Sequence, residues 1–372
     1  MSAASTVAVN LLWCVPGEVG GSEEYLARQL VGLREHDHGL DIVVYAPAGY
    51  AAAHPEIATT FALVEAPVDG RSRSRRVLAE HTWLASRTRR ADLVHHGGGT
   101  VPALGGRPVV LTVHDLQYRT YPHYFSRLKR EYLARRVPQA IARSRVVAVP
   151  SEFVRGTVIE AFDVDPSDVI VVRHGLETDL EAHATPEVLL RHRYALGETT
   201  RLLVYPAVTH PHKRHDFLLD LMARRWTDDD LRLVLLGGRG LADDEVERRL
   251  RTPELRGRVI RPGRVPAADR DGLILAATAV VFPSEYEGFG APVLEAMALG
   301  TPVIASDRAA VPEVLGGAGV SLPLDADAWA GALHEVERSR AQLSAAGLRR
   351  AAAFTVRDSA ADLLRAYRRG LR

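Results

Sequence analysis

The chain has 372 residues, more than a single hydrophobic core usually organises, and 47% of them are apolar, so a folded protein of two domains is expected. Its 47 basic and 46 acidic residues nearly cancel, which excludes a strong overall charge that would attract nucleic acid. Residues 71–90 and 127–145 are locally basic, and we interpret them as solvated helix faces.

Sulfur content and hydropathy restrict the cellular setting. Cys14 is the only cysteine, so an internal disulfide is excluded and a cysteine-based zinc site lacks ligands. No segment approaches the ~20 apolar residues that cross a bilayer, and the N-terminus lacks the pattern of a signal peptide. We therefore expect a cytoplasmic location, with any membrane contact being peripheral.

The first half of the chain alternates short β-rich runs with helical patterns. A strand at 7–13, a glycine-rich turn, a helix at about 22–34 and a strand at 42–46 together predict a βαβ unit. Further strands are predicted at 92–95, 109–113, 146–149 and 169–172, with helices at 127–143 and 153–162. This rhythm is typical of an open parallel sheet.

The second half restarts the same rhythm. Strands are predicted at 202–205, 231–236, 259–260, 279–282 and 303–305, with helices at 217–225 and 269–276. The polar stretch 177–200 lacks a convincing strand and is predicted to be the linker between domains 1–180 and 181–372. The fold class is therefore α/β, with two doubly wound domains facing a cleft. Ligands of such sheets bind beyond the carboxyl ends of the strands.

One loop carries a pattern suited to a nucleotide sugar. The strand 279–282 runs into the glycine-flanked loop 283–290, and Ala291-Pro292 opens a helix whose N-terminal amides suit a diphosphate. Glu287 precedes that helix and Glu295 lies in it. Carboxylates repel phosphate, so these two glutamates are better suited to accept hydrogen bonds from sugar and ribose hydroxyls. For a glutamate pair alone, a solvated α/β turn is the better explanation of the spacing.

The surrounding residues favour the functional interpretation. The string FPSEYEGFGAPVLEAMALGTPVIASD, from Phe282 to Asp307, closely resembles the signature of glycosyltransferase family 4, whose members are retaining enzymes of the GT-B fold. The resemblance implies two Rossmann-like domains, with Glu287 contacting hydroxyls of the donor sugar and Glu295 holding the nucleotide ribose. It also implies that backbone N–H groups of Phe289, Gly290 and Ala291 contact that sugar.

Other positions follow in family order along the chain. By this resemblance, Gly20 and Gly21 approach a phosphate or the transferred sugar, and His114 contacts the donor sugar from the first domain. Arg264 and Val265 resemble the segment that contacts the nucleobase. Residues 356–372 are predicted to form an amphipathic helix, which in this family packs back onto the N-terminal domain.

Lys213, one of only two lysines, follows the strand at 202–205. Its ammonium is expected to neutralise the leaving nucleoside diphosphate. The family usually has an arginine six residues earlier, where this chain has Ala207. Arg214 and the helix-end amides are the candidates to replace that charge.

Histidines also occur near the expected site. His210, His212 and His215 could suggest a metal cluster, but the adjoining cationic residues disfavour a bound cation, so we expect no metal. His95 and His96, at the end of a strand in the first half, are candidates to line the acceptor side.

The expected function is retaining transfer of a sugar from a nucleotide sugar to an acceptor hydroxyl, with no further cofactor. The run Pro211-His212-Lys213 resembles mannosyltransferases that use GDP-mannose, and a UDP-sugar is the other candidate. The acceptor, whether a glycan, a lipid-linked sugar or a small molecule, is open. The alternatives are a nucleotide-sugar epimerase of GT-B fold and a non-catalytic nucleotide-sugar-binding protein. An oxidoreductase is disfavoured because no G-x-G-x-x-G follows the first strand.

Overall fold

The structure is a computed structural model that describes residues 4–18, 20–104, 108–177 and 179–372. Its strands are β1 (Ser5–Asn10), β2 (Leu40–Ala46), β3 (Ala62–Glu65), β4 (Leu93–His96), β5 (Val109–Thr112), β6 (Val146–Val149), β7 (Val169–Val171), β8 (Arg201–Pro206), β9 (Leu231–Leu236), β10 (Val259–Gly263), β11 (Ala279–Phe282), β12 (Val303–Ser306) and β13 (Val320–Leu322).

The helices are α1 (Gly21–Leu33), α2 (Tyr50–Ala53), α3 (Pro55–Ala58), α4 (Arg73–Ala79), α5 (Ala85–Arg87), α6 (Gln117–Thr120), α7 (Arg127–Ala142), α8 (Glu152–Phe162), α9 (Glu187–Arg193), α10 (His215–Arg224), α11 (Asp243–Leu250), α12 (Ala267–Leu275), α13 (Ala291–Ala298), α14 (Val311–Leu315), α15 (Ala326–Arg338), α16 (Arg340–Ala351) and α17 (Val356–Leu371). None of the helices so described is long and apolar enough to cross a membrane.

The chain forms two compact units. The first unit contains Met1–Leu176 together with Phe354–Arg372, and the second contains Glu177–Ala353. The chain leaves and re-enters the first unit at adjacent points, because the amide of Leu176 donates to the carbonyl of Phe354 at 2.9 Å. Residues 177–180 therefore fall in the second unit, whereas the sequence predicted them in the first.

The first unit is built on a seven-stranded parallel sheet in the order β3-β2-β1-β4-β5-β6-β7. Every residue of β4, β5 and β6 is buried. Parallel strands covered by helices on both faces are buried along their whole length, and the apolar residues of β5 and β6 make these strands recognisable in the sequence.

The C-terminal helix completes the core of the first unit. Helix α17 packs against α1, where Gly32 lies beside Val356 and Ala360 of α17. At the other end of α17, the hydroxyl of Tyr367 is 2.9 Å from Nδ1 of the buried His95. The last helix is thus part of the first hydrophobic core rather than an appendage.

The second unit has a six-stranded parallel sheet in the order β10-β9-β8-β11-β12-β13. Strand β11 pairs with β8, with Ala279 opposite Leu203 and Val280 opposite Val204. Because neighbouring parallel strands end at the same sheet edge, the loops that follow β8 and β11 are side by side. This adjacency positions the candidate site.

Differences from the sequence prediction concern marginal elements. The edge strands β3 and β13 were missed, because β3 is only partly buried and β13 has three residues. The first strand ends at Asn10 rather than at residue 13. The predicted linker 177–200 contains α9, whose Leu190 is buried against Gly272 of α12. Val188 and Leu189 of this short helix are exposed, so its apolar spacing gives no clear periodic signal.

Gly32→Ala is expected to destabilise the first unit. A Cβ at this position would lie 2.4 Å from the carbonyl oxygen of Val356 and 2.9 Å from Cβ of Ala360, so α1 and α17 would have to separate. Overpacking of this kind costs about 1–3 kcal/mol in the free energy of unfolding. Thermal denaturation measures the effect, with Gly156→Ala in α8 as the matched control. An added Cβ at Gly156 meets no described atom within 4 Å. An unchanged Tm in Gly32→Ala would contradict the proposed close packing.

Candidate functional site

Two loops at the carboxyl edge of the second sheet carry the principal candidates. After β8, residues Pro211–Lys213 form a 3-10 turn, and Arg214 takes a left-handed conformation (φ 53°) before α10 begins. After β11, residues 283–290 lead into α13. The two loops are joined by the backbone, because the amide of Glu285 donates to the carbonyl of His212 at 2.8 Å.

Lys213 and Glu287 form an ion pair across these loops. The ammonium nitrogen of Lys213 is 2.5 Å from Oε1 of Glu287, and the side chains are only 18% and 13% exposed. The carbonyl of Lys213 accepts a 2.6 Å hydrogen bond from the hydroxyl of Tyr205, which also lies 3.1 Å from Oγ of Ser284. A core tyrosine thus fixes the lysine backbone, so the two predicted residues meet in a defined geometry.

A second charged group lies beside this pair. The guanidinium of Arg214 donates to Glu285 at 2.7 Å and to Asp216 at 3.1 Å. Although burial opposes the charged form, hydrogen bonds with Asp216 and Glu285 raise the pKa of Arg214. Two carboxylates already balance this arginine, so it is a poor substitute for the charge that is missing at Ala207.

Helix α13 begins at a glycine that the backbone requires. Gly290 precedes the first helical residue, Ala291, with φ 98°, a conformation that other residues rarely adopt. Phe289 and Glu295 are each 4% exposed, so the side chain of Glu295 is directed into the unit rather than into solvent. Exposed, solvated glutamates would be expected of an ordinary surface turn, and neither Glu287 nor Glu295 is one.

His212 and His215, after β8, are neutral at neutral pH. Burial and the charge of Lys213 lower the pKa of His212 to about 2, and burial lowers the pKa of His215 to about 4. The rings of His210 and His212 stack with centroids 5.7 Å apart. Among the described residues, no cluster of three or more His, Cys, Asp or Glu side chains is arranged to hold a metal ion.

Arg264 and Val265 lie at the same sheet edge, after β10. Arg264 is exposed and Val265 is partly buried. A Cβ added at Gly238, which follows β9, would lie 2.9 Å from Nε of Arg264. The arginine therefore extends over the end of β9.

In the first unit, His114 follows β5 and is enclosed by aromatic rings. Its Nε2 lies 2.8 Å from the carbonyl oxygen of Gly97, and because a carbonyl only accepts, Nε2 must carry the hydrogen. Trp13 and Tyr25 lie 5.6 and 5.7 Å away between ring centroids, and Tyr25 stacks on His174 at 4.3 Å. Burial lowers the pKa of His114, so it is a neutral hydrogen-bonding group and not a cation.

The glycine-rich turn of the first unit precedes α1. Gly20 is the N-cap residue of α1 with φ 76° and ψ −139°, and Gly21 is the first helical residue. A Cβ added at either position would meet no described atom within 4 Å. Both glycines therefore border open space, which is the property a close ligand approach requires.

The other histidines proposed for the acceptor side are internal. His95 forms hydrogen bonds with the side chains of Thr112 and Tyr367. Nδ1 of His96 is 3.0 Å from the side-chain amide nitrogen of Asn10. Burial lowers the pKa of both rings to about 3. The prediction for these two residues was wrong, because strand β4 is central and its last residues remain covered. A cavity of about 160 Å³ nearby is lined instead by residues 98–100, 113–115, 118, 125, 133 and 137.

Comparison with known proteins gives the class and then the family. Two Rossmann-like units with parallel sheets are the architecture of the GT-B fold. The Anabaena protein HepE, solved with UDP and glucose, superposes with a TM-score of 0.76 at 17% identity over 98% of this chain and 99% of that chain. Family models described as glycosyltransferase family 4 and glycosyl transferases group 1 match residues 19–180 and 189–353. The chain belongs to glycosyltransferase family 4.

Named relatives agree with this assignment. O-antigen chain mannosyltransferase B of Escherichia coli is 28% identical over 284 residues, covering 74% of each chain. D-inositol 3-phosphate glycosyltransferase of Corynebacterium diphtheriae is 26% identical over 309 residues, covering 78% of this chain and 70% of the relative. The protein is therefore an enzyme of the hexosyltransferase type.

Lys213→Ala is expected to lower kcat by about two to three orders of magnitude, because it removes a preorganised charge near the start of α13. Lys213→Arg should restore only part of the rate, since a planar guanidinium does not replace a compact ammonium. Steady-state kinetics with the nucleotide-sugar donor measures both effects. Lys129→Ala changes the only other lysine, in the first unit, and is the control. Full activity of Lys213→Ala would show that Lys213 is outside the chemistry.

Proposed function

We propose that the protein is a retaining glycosyltransferase that moves a sugar from a nucleotide sugar to an acceptor hydroxyl without a metal ion or further cofactor. The observation that supports this most directly is the ion pair of Lys213 and Glu287 in the loops leading to α10 and α13. An ammonium and a helix N-terminus at one sheet edge suit the diphosphate of a nucleotide sugar, and the carboxylate beside them suits its sugar hydroxyls.

On this proposal, donor binding exchanges hydrogen bonds at the ion pair. A diphosphate attracts the ammonium of Lys213, while a hydroxyl of the donor sugar donates to Glu287 in its place. Glu295 would hold the ribose, and the amides of Phe289, Gly290 and Ala291 would contact the sugar.

The same arrangement supports chemistry without a protein nucleophile. On this proposal Glu287 accepts a hydrogen bond from a hydroxyl of the donor sugar, so its carboxylate is engaged away from the anomeric carbon. The acceptor hydroxyl would therefore attack from the face that the diphosphate leaves, the departing phosphate oxygen would take its proton, and the anomeric configuration would be kept. Lys213 would stabilise the negative charge on the diphosphate. His114 would contribute a neutral hydrogen bond, not positive charge.

The donor is proposed to be GDP-mannose or a UDP-sugar. The mannosyltransferase relatives from Escherichia coli and Salmonella typhimurium support GDP-mannose. HepE, which has also been solved with UDP-glucose, supports a UDP-sugar. Arg264 and Val265 are the proposed base-contacting segment. The acceptor is a glycan, a lipid-linked sugar or a small molecule.

A peripheral membrane contact is proposed for a surface formed by α4 and α7. The guanidinium of Arg73 lies 4.0 Å over the ring of Tyr132, joining the two helices. Leu78 and Leu128 on this surface are 64% and 83% exposed. The surrounding charges are mostly basic: Arg73, Arg75, Arg76, Arg127, Lys129, Arg130, Arg135 and Arg136, with Glu131. Isolated leucines among arginines suit the headgroup region of an anionic bilayer better than bulk water.

An α-linked donor is expected to give an α-linked product. Thermal shifts with GDP-, UDP-, dTDP- and ADP-sugars first identify the donor, because a ligand that binds only the folded state raises Tm. Proton NMR of the first-formed product then gives its anomeric configuration. The same reaction should proceed in EDTA. A β-linked product would exclude the retaining mechanism, and activity that EDTA abolishes and a divalent ion restores would exclude metal independence.

Binding to anionic vesicles is expected to depend on the α4–α7 surface. In a sedimentation assay the protein should bind phosphatidylcholine vesicles that contain phosphatidylglycerol. The double variant Arg73→Glu/Arg75→Glu should weaken the affinity for these vesicles by more than about tenfold, since each basic residue contributes about 1 kcal/mol. Leu78→Ser/Leu128→Ser should also weaken it. Leu348→Ser, a 47% exposed leucine of the second unit, is the control. Equal retention by pure phosphatidylcholine, or no effect of either double variant, would contradict the proposal.

A further inference from the structure

A buried carboxylate lies beside the glycine-rich turn between β1 and α1. Glu23, the third residue of α1, is 7% exposed, and both of its oxygens accept from the amide of Gly17 at 3.0 and 3.2 Å. A glutamate at this helical position usually bonds back to the N-cap amide, here that of Gly20. Glu23 reaches three residues further back, so it fixes the turn as well as the helix start.

His54 gives this carboxylate a second partner. Its Nε2 is 2.9 Å from Oε1 of Glu23 and its Nδ1 is 3.0 Å from Oε1 of Glu56. Carboxylates only accept hydrogen bonds, so both ring nitrogens must carry a hydrogen and His54 is an imidazolium in this arrangement. Its ring stacks on Tyr50 with centroids 4.4 Å apart, a contact that favours a cation.

Among the groups that face His54, its charged partners are the two glutamates. The facing groups are Glu23 on α1, Tyr50 on α2, Glu56 on α3 and, near Glu23, Cys14. Burial raises the pKa of Tyr50 and of Cys14, so both are neutral. Burial alone would lower the pKa of His54, but hydrogen bonds to Glu23 and Glu56 raise it above its usual value.

The turn held in this way has little steric support of its own. Gly17 and Gly20 have φ values of 72° and 76°, and no described atom lies within 4 Å of a Cβ added at either residue. Glycines lose more conformational freedom on ordering than other residues, so this turn needs a tether to keep one conformation. The hydrogen bonds from Gly17 to Glu23 provide it.

We propose that Glu23 and His54 are positioning residues, which hold Gly17 and Gly20, ahead of α1, in the conformation that receives a phosphate of the nucleotide donor. This inference rests on the proposed function, and it adds a residue pair that touches the turn and not the ligand. Preorganised amides bind an anion more tightly than mobile ones, because the ordering entropy is not lost on binding.

The arrangement gives a definite pH dependence. Below the pKa of His54, the imidazolium serves both carboxylates. As pH rises through that raised pKa, one N–H is lost and the neutral ring can donate to only one of them. Stabilisation of the turn is therefore complete below the unfolded-state pKa of about 6.5 and is lost as pH rises through the folded-state pKa.

Titration calorimetry with UDP and GDP at pH 6.5 and pH 8.5 tests the proposal. With the nucleotide that binds more tightly, Glu23→Ala is expected to raise Kd about tenfold at pH 6.5, the effect of losing a hydrogen bond to a charged group. Glu23→Gln, which keeps an acceptor and the side-chain shape, should lie between Glu23→Ala and the wild type. Glu24→Ala, which alters the neighbouring glutamate with a 43% exposed side chain, should bind like the wild type.

His54→Gln separates positioning from folding. The glutamine amide can donate to Glu23 but does not titrate. The nucleotide affinity of the variant, relative to that of the wild type, should therefore rise between pH 6.5 and pH 8.5. A constant ratio, or a Glu23→Ala variant that binds like the wild type, would overturn the positioning role while leaving the proposed function intact. A folded wild type that binds neither nucleotide, nor any nucleotide sugar in the thermal-shift screen, would overturn both.

Discussion

The ion pair between Lys213 and Glu287 is the contact on which the candidate site depends. The two residues are far apart in sequence, and they meet because β8 and β11 are neighbours in a parallel sheet and end at the same edge. The hydroxyl of Tyr205, rising from β8, holds the carbonyl of Lys213, and the amide of Glu285 binds the neighbouring carbonyl of His212. Sheet order therefore determines the distance between Lys213 and Glu287. A change in the loop after β8 or in the loop after β11 alters the positions of both side chains.

Much of this arrangement could be predicted from the sequence, because strong local signals coincided. Most of the central strands are rich in apolar residues, and the loop into α13 has a glycine whose positive φ is needed at that position. Pairings between distant segments could not be predicted. Arg214 with Glu285, and His54 with Glu23, join residues on different elements, and nothing in their local sequence distinguishes them from ordinary surface charges.

Burial explains why the histidines predicted from strand ends have different surroundings in the structure. A strand-end position indicates that His95 and His114 lie near a sheet edge, but it does not indicate how many groups surround them. His95 is bonded on both ring nitrogens and belongs to the core, whereas His114 uses Nε2 for Gly97 and borders the cavity of the first unit. Their depressed pKa values share one cause, desolvation, and only the hydrogen-bond pattern separates the two roles.

The charges around Lys213 restrict what the second unit can bind well. Lys213 and Arg214 are both paired, and their carboxylate partners, Glu287, Glu285 and Asp216, outnumber them. With Ala207 supplying no charge, a free diphosphate would have to draw Lys213 from Glu287 and leave a carboxylate without its partner, which is unfavourable in a mostly buried setting. On the proposed function, a nucleotide sugar avoids this penalty, because its own hydroxyl can replace the ammonium at Glu287. The same exchange would favour the intact donor over the nucleoside diphosphate product, so it connects recognition of the sugar with release of the leaving group.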